Sequence, residues 1–300
     1  MKDIKDTFFD QGYISPIKAL DISTAKEIKN EYINFYENIS TVREKIEHKS
    51  KSHLLFNWAN EIIFEENILR VVKEILGQNV VTWNSLIFMK PPKSKKYVSF
   101  HQDQNYWKIK MDKGLTVQIA LSSSTKENGC LQILPGSHKQ DYSHLDKKDT
   151  NNLLARGQEV QLTENEKNNL KKIILKPGEF CIFHGNIVHG SNINISDDYR
   201  VLFSIRYLTP DNKIDEKLYY NYATKVCGVD EFKYFKEEPN LDKDSPKLCS
   251  SFHNQLISKQ AEIYSKLYLK KFSFLSFLTK LKFVRNLIYL FREYKGKAKI

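Results

Sequence analysis

In the stretch Phe100-His101-Gln102-Asp103-Gln104-Asn105-Tyr106-Trp107 an imidazole and a carboxylate stand two residues apart. On an extended strand the side-chain period of two turns both to one face and leaves Gln102 on the other. Two His and one carboxylate make a facial triad, which holds Fe(II) and leaves three adjacent positions open for a cosubstrate and dioxygen. The third ligand has to come from a distant strand, and His189, in Phe183-His184-Gly185-Asn186-Ile187-Val188-His189-Gly190-Ser191, is the candidate. Eleven residues later Arg200 leads the apolar run Val201-Leu202-Phe203-Ser204-Ile205. A fixed guanidinium there suits the far carboxylate of a dicarboxylate cosubstrate as a bidentate pair, with Ser191 adding a hydroxyl donor. An H-x-D pair alone is more often a surface or loop feature than a metal site, so its weight comes from this order and company. No G-x-S-x-G, Walker loop or dinucleotide fingerprint competes with it, and the eleven Gly are too dispersed to form one.

These residues need elements to position them. Thr24-Ala25-Lys26-Glu27 reads as a capping box opening an apolar-periodic helix that runs to Ile39 and packs outside the barrel. Glu44 to Lys51 is charged and reads as exposed. A second helix is expected over Glu65 to Leu76, with Ile68, Leu69, Val72 and Ile75 on one face and Gly77 as its stop. From Val80 to Phe88 the β-branched and aromatic content signals a strand, closed by Pro91-Pro92. Further strands are expected at the H-x-D stretch, Leu115 to Leu121, Cys130 to Leu134, Lys172 to Leu175, Phe180 to Phe183 and Val201 to Leu208. Asp141 to Asn169 is polar, with a short helix after Thr163, and reads as a lid or a plain surface loop. A last helix spans Ser245 to Leu269. Many short strands between regular turns predict a sandwich or a closed barrel.

Composition narrows the function classes. With 41% hydrophobic and 12% aromatic residues, 300 residues bury one large core. The four cysteines lack metal-type spacing and follow no secretory signal, so they read as reduced thiols of a cytoplasmic protein. The net charge of +11 is concentrated in residues 266–300, where ten Lys or Arg face one Glu; the preceding 265 residues are close to balance. Within that tail Phe274, Phe277, Leu278, Leu281, Val284, Ile288 and Phe291 form an apolar stripe. The stripe over residues 272–291 reads first as a helix docked on its own sheets or on a second subunit. Peripheral contact with anionic lipid at the inner membrane surface is the alternative. Nucleic acid is not expected as a partner, because the tail carries no base-reading or stacking motif.

The chain resembles the phytanoyl-CoA dioxygenase family of Fe(II)- and 2-oxoglutarate-dependent oxygenases. The likeness rests on MKPP at Met89 to Pro92, FHQDQNYW at Phe100 to Trp107, ENGCLQILPGSHK at Glu127 to Lys139, KPGEFCIFHGNIVHGSNINIS at Lys176 to Ser196, and Arg200 with SIRYL at Ser204 to Leu208. A later block from Val226, VCGVDEFKYFKEEPNLD, fits the family's downstream pattern.

Several expectations follow from the resemblance. His101, Asp103 and His189 are the expected iron ligands. Arg200 and Ser191 are expected to hold 2-oxoglutarate, with backbone or side-chain contact from Gln102 and Leu86 and an upstream Lys, Lys51 or equally Lys49, reaching the same cosubstrate. Gln118 stands where the family often has a Trp, which makes that wall of the pocket more polar. Asn105, Tyr106 and Trp107 are candidates for shaping substrate. His184 reads as structural because the family's ligand lies in His-Gly-Ser; Arg206 reads as a structural cation. His138 reads as a turn residue, and His48, His53, His144 and His253 as surface.

The implied fold is mainly β with flanking helices, a double-stranded β-helix of the jelly-roll or cupin-like kind. A dioxygenase domain over residues 1–265 would carry N-terminal helices, and residues 266–300 would form a basic amphipathic tail. The implied cofactors are Fe(II), 2-oxoglutarate and dioxygen, with ascorbate as an accessory reductant. The implied reaction is hydroxylation of an unactivated carbon in a small metabolite or biosynthetic intermediate. Asp103 favours this over halogenation, because related halogenases carry a small residue there. The alternatives are desaturation, epimerisation or cyclisation by the same iron chemistry, or a non-catalytic metal-binding protein recruited to membrane by its tail.

Overall fold

The strand Arg200–Leu208 shows how the sequence builds the architecture. Val201, Phe203, Ile205 and Tyr207 sit in one core cluster, while Arg200, Ser204 and Arg206 line a cavity on the opposite face. Leu115, Val117 and Ile119 alternate with Thr116 and Gln118 in the same way on the neighbouring strand. Period-two alternation thus gives one sheet an oily outer face and a functional inner face.

The computed structural model describes residues 3–104, 113–147, 149–154, 157–215 and 219–268. The strands are β1 (Tyr13–Lys18), β2 (Val80–Lys90), β3 (Val98–His101), β4 (Gly114–Ala120), β5 (Leu131–Ile133), β6 (His144–Asp146), β7 (Gln158–Val160), β8 (Lys171–Ile173), β9 (Glu179–His184), β10 (His189–Ser191), β11 (Arg200–Leu208), β12 (Tyr222–Cys227) and β13 (Lys236–Glu237). The helices are α1 (Ile4–Gln11), α2 (Ile22–Asn38), α3 (Val42–Glu47), α4 (Asn57–Ile63), α5 (Glu66–Leu76), α6 (Glu164–Asn168) and α7 (Pro246–Tyr268).

A seven-stranded sheet runs β1-β9-β4-β11-β2-β12-β13, and a four-stranded sheet runs β3-β10-β5-β8. The small sheet packs on the large one: Leu131, Ile133 and Ile173 share a core cluster with Ala120, Cys181, Phe183 and Leu202. Helices cover the other face of the large sheet, where Tyr32 of α2, Trp58 and Ile63 of α4 and Ile68 and Val72 of α5 meet the outward residues of β4 and β11. Each fully buried Val, Leu, Ile or Phe contributes about 1.5–3 kcal/mol. The result is a mainly β protein with flanking helices.

Several local expectations change. Helix α2 begins at Ile22 with Asp21 as its N-cap, so Thr24 lies inside the first turn; the Asp21 carboxylate is taken by Lys18, 2.7 Å away. The capping box that does form joins Thr163 and Glu166 at α6. The segment expected to be exposed up to Lys51 instead lies along β2, where Lys51 N donates to Ser85 O and Ile87 N to Lys49 O. His48, His53 and His253 are buried, not surface residues, and each has a hydrogen-bond partner. Strand β3 ends at His101, and Asp103 stands two residues on, where the backbone becomes helical at Asp103 and Gln104. Residues 105–112 and 269–300, and with them the expectations for Asn105, Tyr106, Trp107 and the apolar stripe of the tail, lie outside the described residues. Among the described residues no helix is long and apolar enough to cross a membrane.

Candidate metal centre and its cavity

His101 and His189 face each other across the β3–β10 ladder as directly paired residues, with ring centroids 4.3 Å apart. Gly190 makes this close pairing possible, because a Cβ there would meet Val98 O at 2.9 Å and Phe100 Cδ1 at 3.0 Å. Past the end of β3 the backbone turns and brings Asp103 back to both rings. Its Oδ1 lies 3.2 Å from His101 Nε2 and its Oδ2 3.9 Å from His189 Nε2. One ligand atom from each of the three residues falls within 4.8 Å of the other two.

The hydrogen bonds behind the rings fix what they present. His101 Nδ1 is 2.9 Å from Ser99 O, and His189 Nδ1 is 3.0 Å from Ile187 O. A carbonyl only accepts, so each Nδ1 carries the proton and each neutral ring offers a lone pair at Nε2. Asp103 Oδ2 is buried and accepts no hydrogen bond. Lone pairs converging on one point, with a carboxylate oxygen otherwise unsatisfied, fit a divalent cation. Burial raises the Asp103 pKa, but His101, His189 and Arg206 outweigh it and hold the group at about 2. Burial, followed by the neighbouring His101, lowers His189 to about 4. Both groups are therefore in their ligating forms at neutral pH.

The three residues open into a cavity of about 390 Å³. Its inner wall carries Leu86, Phe88, Gln118, Ser191 and Arg200. Arg200 is buried, its Nη1 donates to Gly129 O, and its Nε has no partner. Gln118 donates to Ser204 Oγ at 3.0 Å, while its Oε1 stays without a partner, so this wall is polar as expected. The outer wall comes from Glu47, Trp83, Tyr219 and Tyr220, with Ile257, Gln260 and Ala261 of α7.

Two expected cosubstrate contacts lie elsewhere. Lys51 does not line the cavity: its ammonium bonds Glu238 and the Tyr222 carbonyl in a fully buried pair, and His53 and Thr224 bond the same carboxylate. Lys49 is also off the wall, its ammonium 5.4 Å from the Tyr36 ring centroid. The Gln102 side chain points away from the metal and ties two loops together, donating to Gln140 O and Asn186 O and accepting from Tyr142 N. His144 supports the same turn by accepting from Gln102 N. His184 accepts from Asn186 N, and His138 bonds Phe9 O, so both hold loops.

Sequence reasoning undervalued Arg206, whose guanidinium lines the cavity 3.8 Å from Asp103 Oδ2. It also passed over Trp83, Tyr219, Tyr220 and α7 as cavity residues. The parity of β11 was the available signal for Arg206, which stands six residues from Arg200 and so on the same face. Nothing local marks the α7 residues, because their role depends on where the helix docks.

The sequence pattern of the family described as phytanoyl-CoA dioxygenase (PhyH) matches residues 15–202. Bovine (Bos taurus) peroxisomal phytanoyl-CoA dioxygenase is 26% identical over 202 residues, covering 64% of this chain and 56% of that protein. A probable alpha-ketoglutarate-dependent hypophosphite dioxygenase of Stutzerimonas stutzeri is 28% identical over 189 residues, 61% of this chain and 64% of the relative. These matches span less than two thirds of either relative. Among solved structures, the apo form of the non-heme monooxygenase ThoJ superposes with a TM-score of 0.75 at 23% identity, covering 88% of this chain and 98% of ThoJ. The matched segment contains all three candidate metal ligands together with Ser191 and Arg200, and the chain belongs to the phytanoyl-CoA dioxygenase family.

Proposed function

We propose that this protein is an Fe(II)- and 2-oxoglutarate-dependent dioxygenase that hydroxylates an unactivated carbon of a small metabolite or biosynthetic intermediate. The two packed sheets are read as the double-stranded β-helix of this enzyme class. One observation carries the proposal: two imidazole Nε2 atoms and an otherwise unbonded carboxylate oxygen converge in a cavity that is also lined by a buried guanidinium.

In this reading His101, Asp103 and His189 hold the iron, and the Ser99 and Ile187 carbonyls keep both rings turned toward it. Arg200 and Ser191 grip the distal carboxylate of 2-oxoglutarate while Leu86 packs against its chain. When bound, iron and 2-oxoglutarate supply the oxidising power for dioxygen-dependent attack on a C–H bond. The protein's part is to fix the diacid, to exclude water with Phe88, Leu131 and Phe183, and to present a substrate carbon from the outer chamber. Trp83, Tyr219, Tyr220 and the α7 residues give that chamber an aromatic and apolar character.

Purified protein with Fe(II), 2-oxoglutarate and dioxygen is expected to release succinate, with turnover stimulated by the true substrate in a metabolite panel. Absence of metal-dependent 2-oxoglutarate binding, together with no succinate across the panel, overturns the proposal.

A further inference from the structure

Two buried basic residues stand side by side where Arg200 and Ser191 line the cavity, with Lys90 behind that wall. Lys90 on β2 and Arg200 on β11 are direct register partners, and their side chains are 0% and 2% exposed. Among the described residues neither forms an ion pair with a carboxylate; their partners are neutral oxygens. Lys90 Nζ donates to Ser191 Oγ at 2.8 Å, to the Asn192 carbonyl, and at 3.4 Å to Ser191 O. Burying an ammonium against neutral acceptors costs free energy that an apolar residue of similar size would avoid. A second positive charge on the directly paired residue adds repulsion. That arrangement is favourable overall when an anion completes it.

The donor inventory makes the role more specific. An ammonium only donates, and a hydroxyl donates once while accepting through two lone pairs. Because Ser191 Oγ accepts from Lys90, its own proton is left to donate, and Ser191 lies on the cavity wall between His189 and Arg200. Burial and the nearby Arg200 push the Lys90 pKa down to about 6, so the amine is largely unprotonated in the empty site at neutral pH, and a bound anion beside it restores the ammonium.

We propose that Lys90 is a positioning residue for the cosubstrate: it fixes the Ser191 hydroxyl as a donor into the cavity and adds a second positive charge behind Arg200, so that the pocket selects a 2-oxo diacid over a 2-oxo monoacid. This rests on the oxygenase reading above and names a residue that reading did not use. Lys90 acts through Ser191 and through its charge, without touching the metal ligands.

The test is anaerobic titration of the Co(II)- or Fe(II)-loaded full chain with 2-oxoglutarate and, separately, with 2-oxopentanoate, which keeps the chelating end but lacks the distal carboxylate. Lys90→Met is expected to weaken 2-oxoglutarate by about 10- to 100-fold, the worth of one charge-assisted contact, and to leave 2-oxopentanoate and metal affinity within about twofold. Lys90→Gln, which keeps a donor to Ser191 without the charge, should fall between Met and wild type; it takes the place of the Met variant if that protein does not fold. Equal losses for both acids, loss of metal affinity, or no loss for 2-oxoglutarate overturns the proposal. If wild-type protein binds neither acid in a metal-dependent way, the oxygenase reading fails instead, and the two failures are told apart.

Discussion

Arg206 holds its guanidinium 3.8 Å from Asp103 Oδ2, the carboxylate oxygen that also lies 3.9 Å from His189 Nε2. A fixed cation therefore attends the same carboxylate that is proposed to bind iron, and the two compete for Oδ2. Replacing Arg206 by Gln is expected to leave divalent-metal affinity unchanged or to raise it a few-fold, since a like charge is removed from beside the ion. Calorimetric titration with Co(II) checks this. An affinity about tenfold weaker would show instead that Arg206 is needed to orient the carboxylate.

His101→Ala, Asp103→Ala and His189→Ala should each abolish metal-dependent 2-oxoglutarate binding. Stability is expected to separate the three. Asp103→Ala takes a carboxylate away from the buried Arg206, 3.8 Å from it, so its thermal midpoint without metal should fall by several degrees, more than for either histidine variant. A midpoint equal to that of wild type would show that the carboxylate does not stabilise the metal-free fold.

Gly190 sits between the two ligand histidines' strands, with Val98 O 2.9 Å and Phe100 N 3.2 Å from the place a Cβ would take. Gly190→Ala must push β3 away from β10. The expected cost is about 1–3 kcal/mol of stability, with weaker metal binding because His101 moves relative to His189. Denaturant unfolding and metal titration on the same sample test both halves.

The Lys51–Glu238 pair is fully buried and shares its carboxylate with His53 and Thr224. Removing one partner strands the other charge, so Lys51→Met should destabilise by about 3–5 kcal/mol. The double variant Lys51→Met with Glu238→Leu should recover much of that loss. If Lys51 reached the cosubstrate, 2-oxoglutarate affinity of the double variant would drop; the present geometry predicts that it holds.

Stability should fall on mild acidification through His48. Its Nδ1 donates to Glu44 O and its Nε2 accepts from the Tyr32 hydroxyl 2.8 Å away, an arrangement that requires the neutral ring. Burial, partly offset by the Glu44 hydrogen bond, lowers its pKa to about 4. The unfolded chain takes up a proton below about pH 6.5 and the folded chain does so only near 4, so stability is full above 6.5 and declines between those values, by at most about 3 kcal/mol. His48→Gln keeps a donor and an acceptor without titrating, and should flatten the melting-temperature profile over that window.

Much of the site was legible because metal chemistry restricts residue type and strand geometry restricts spacing. His101, Asp103, His189, Ser191 and Arg200 all meet at one cavity, as their order along the chain implies. Asp103 does not reach the rings by strand alternation; the switch from strand to helical backbone after His101 delivers it. The Lys51 and Gln102 side chains turn elsewhere because a charged or amide side chain near a motif gives no sign of which face it takes once its segment joins a strand edge or a loop. Lys51 went to Glu238, 187 residues away in sequence, a partner that local patterning does not reveal. Lys90 could have been found by parity, since it shares the face of Leu86 and Phe88 on β2. Strands β2, β3, β4, β5, β8, β9 and β11 were legible, because alternating burial writes itself into the sequence, whereas β1, β6, β7, β12 and β13 were not expected; the start of α2 was also missed, because Asp21 caps through its backbone while its carboxylate is bound to Lys18.

The α7 helix supplies Ile257, Gln260 and Ala261 to the outer chamber but none of the candidate metal ligands. What the chamber admits is thereby mechanically uncoupled from the reacting centre. A lineage, or an engineer, can redraw the entrance by exchanging residues on one helical face while the iron pocket stays as it is, so divergence in the molecules accepted should accumulate on α7 faster than on β10 or β11.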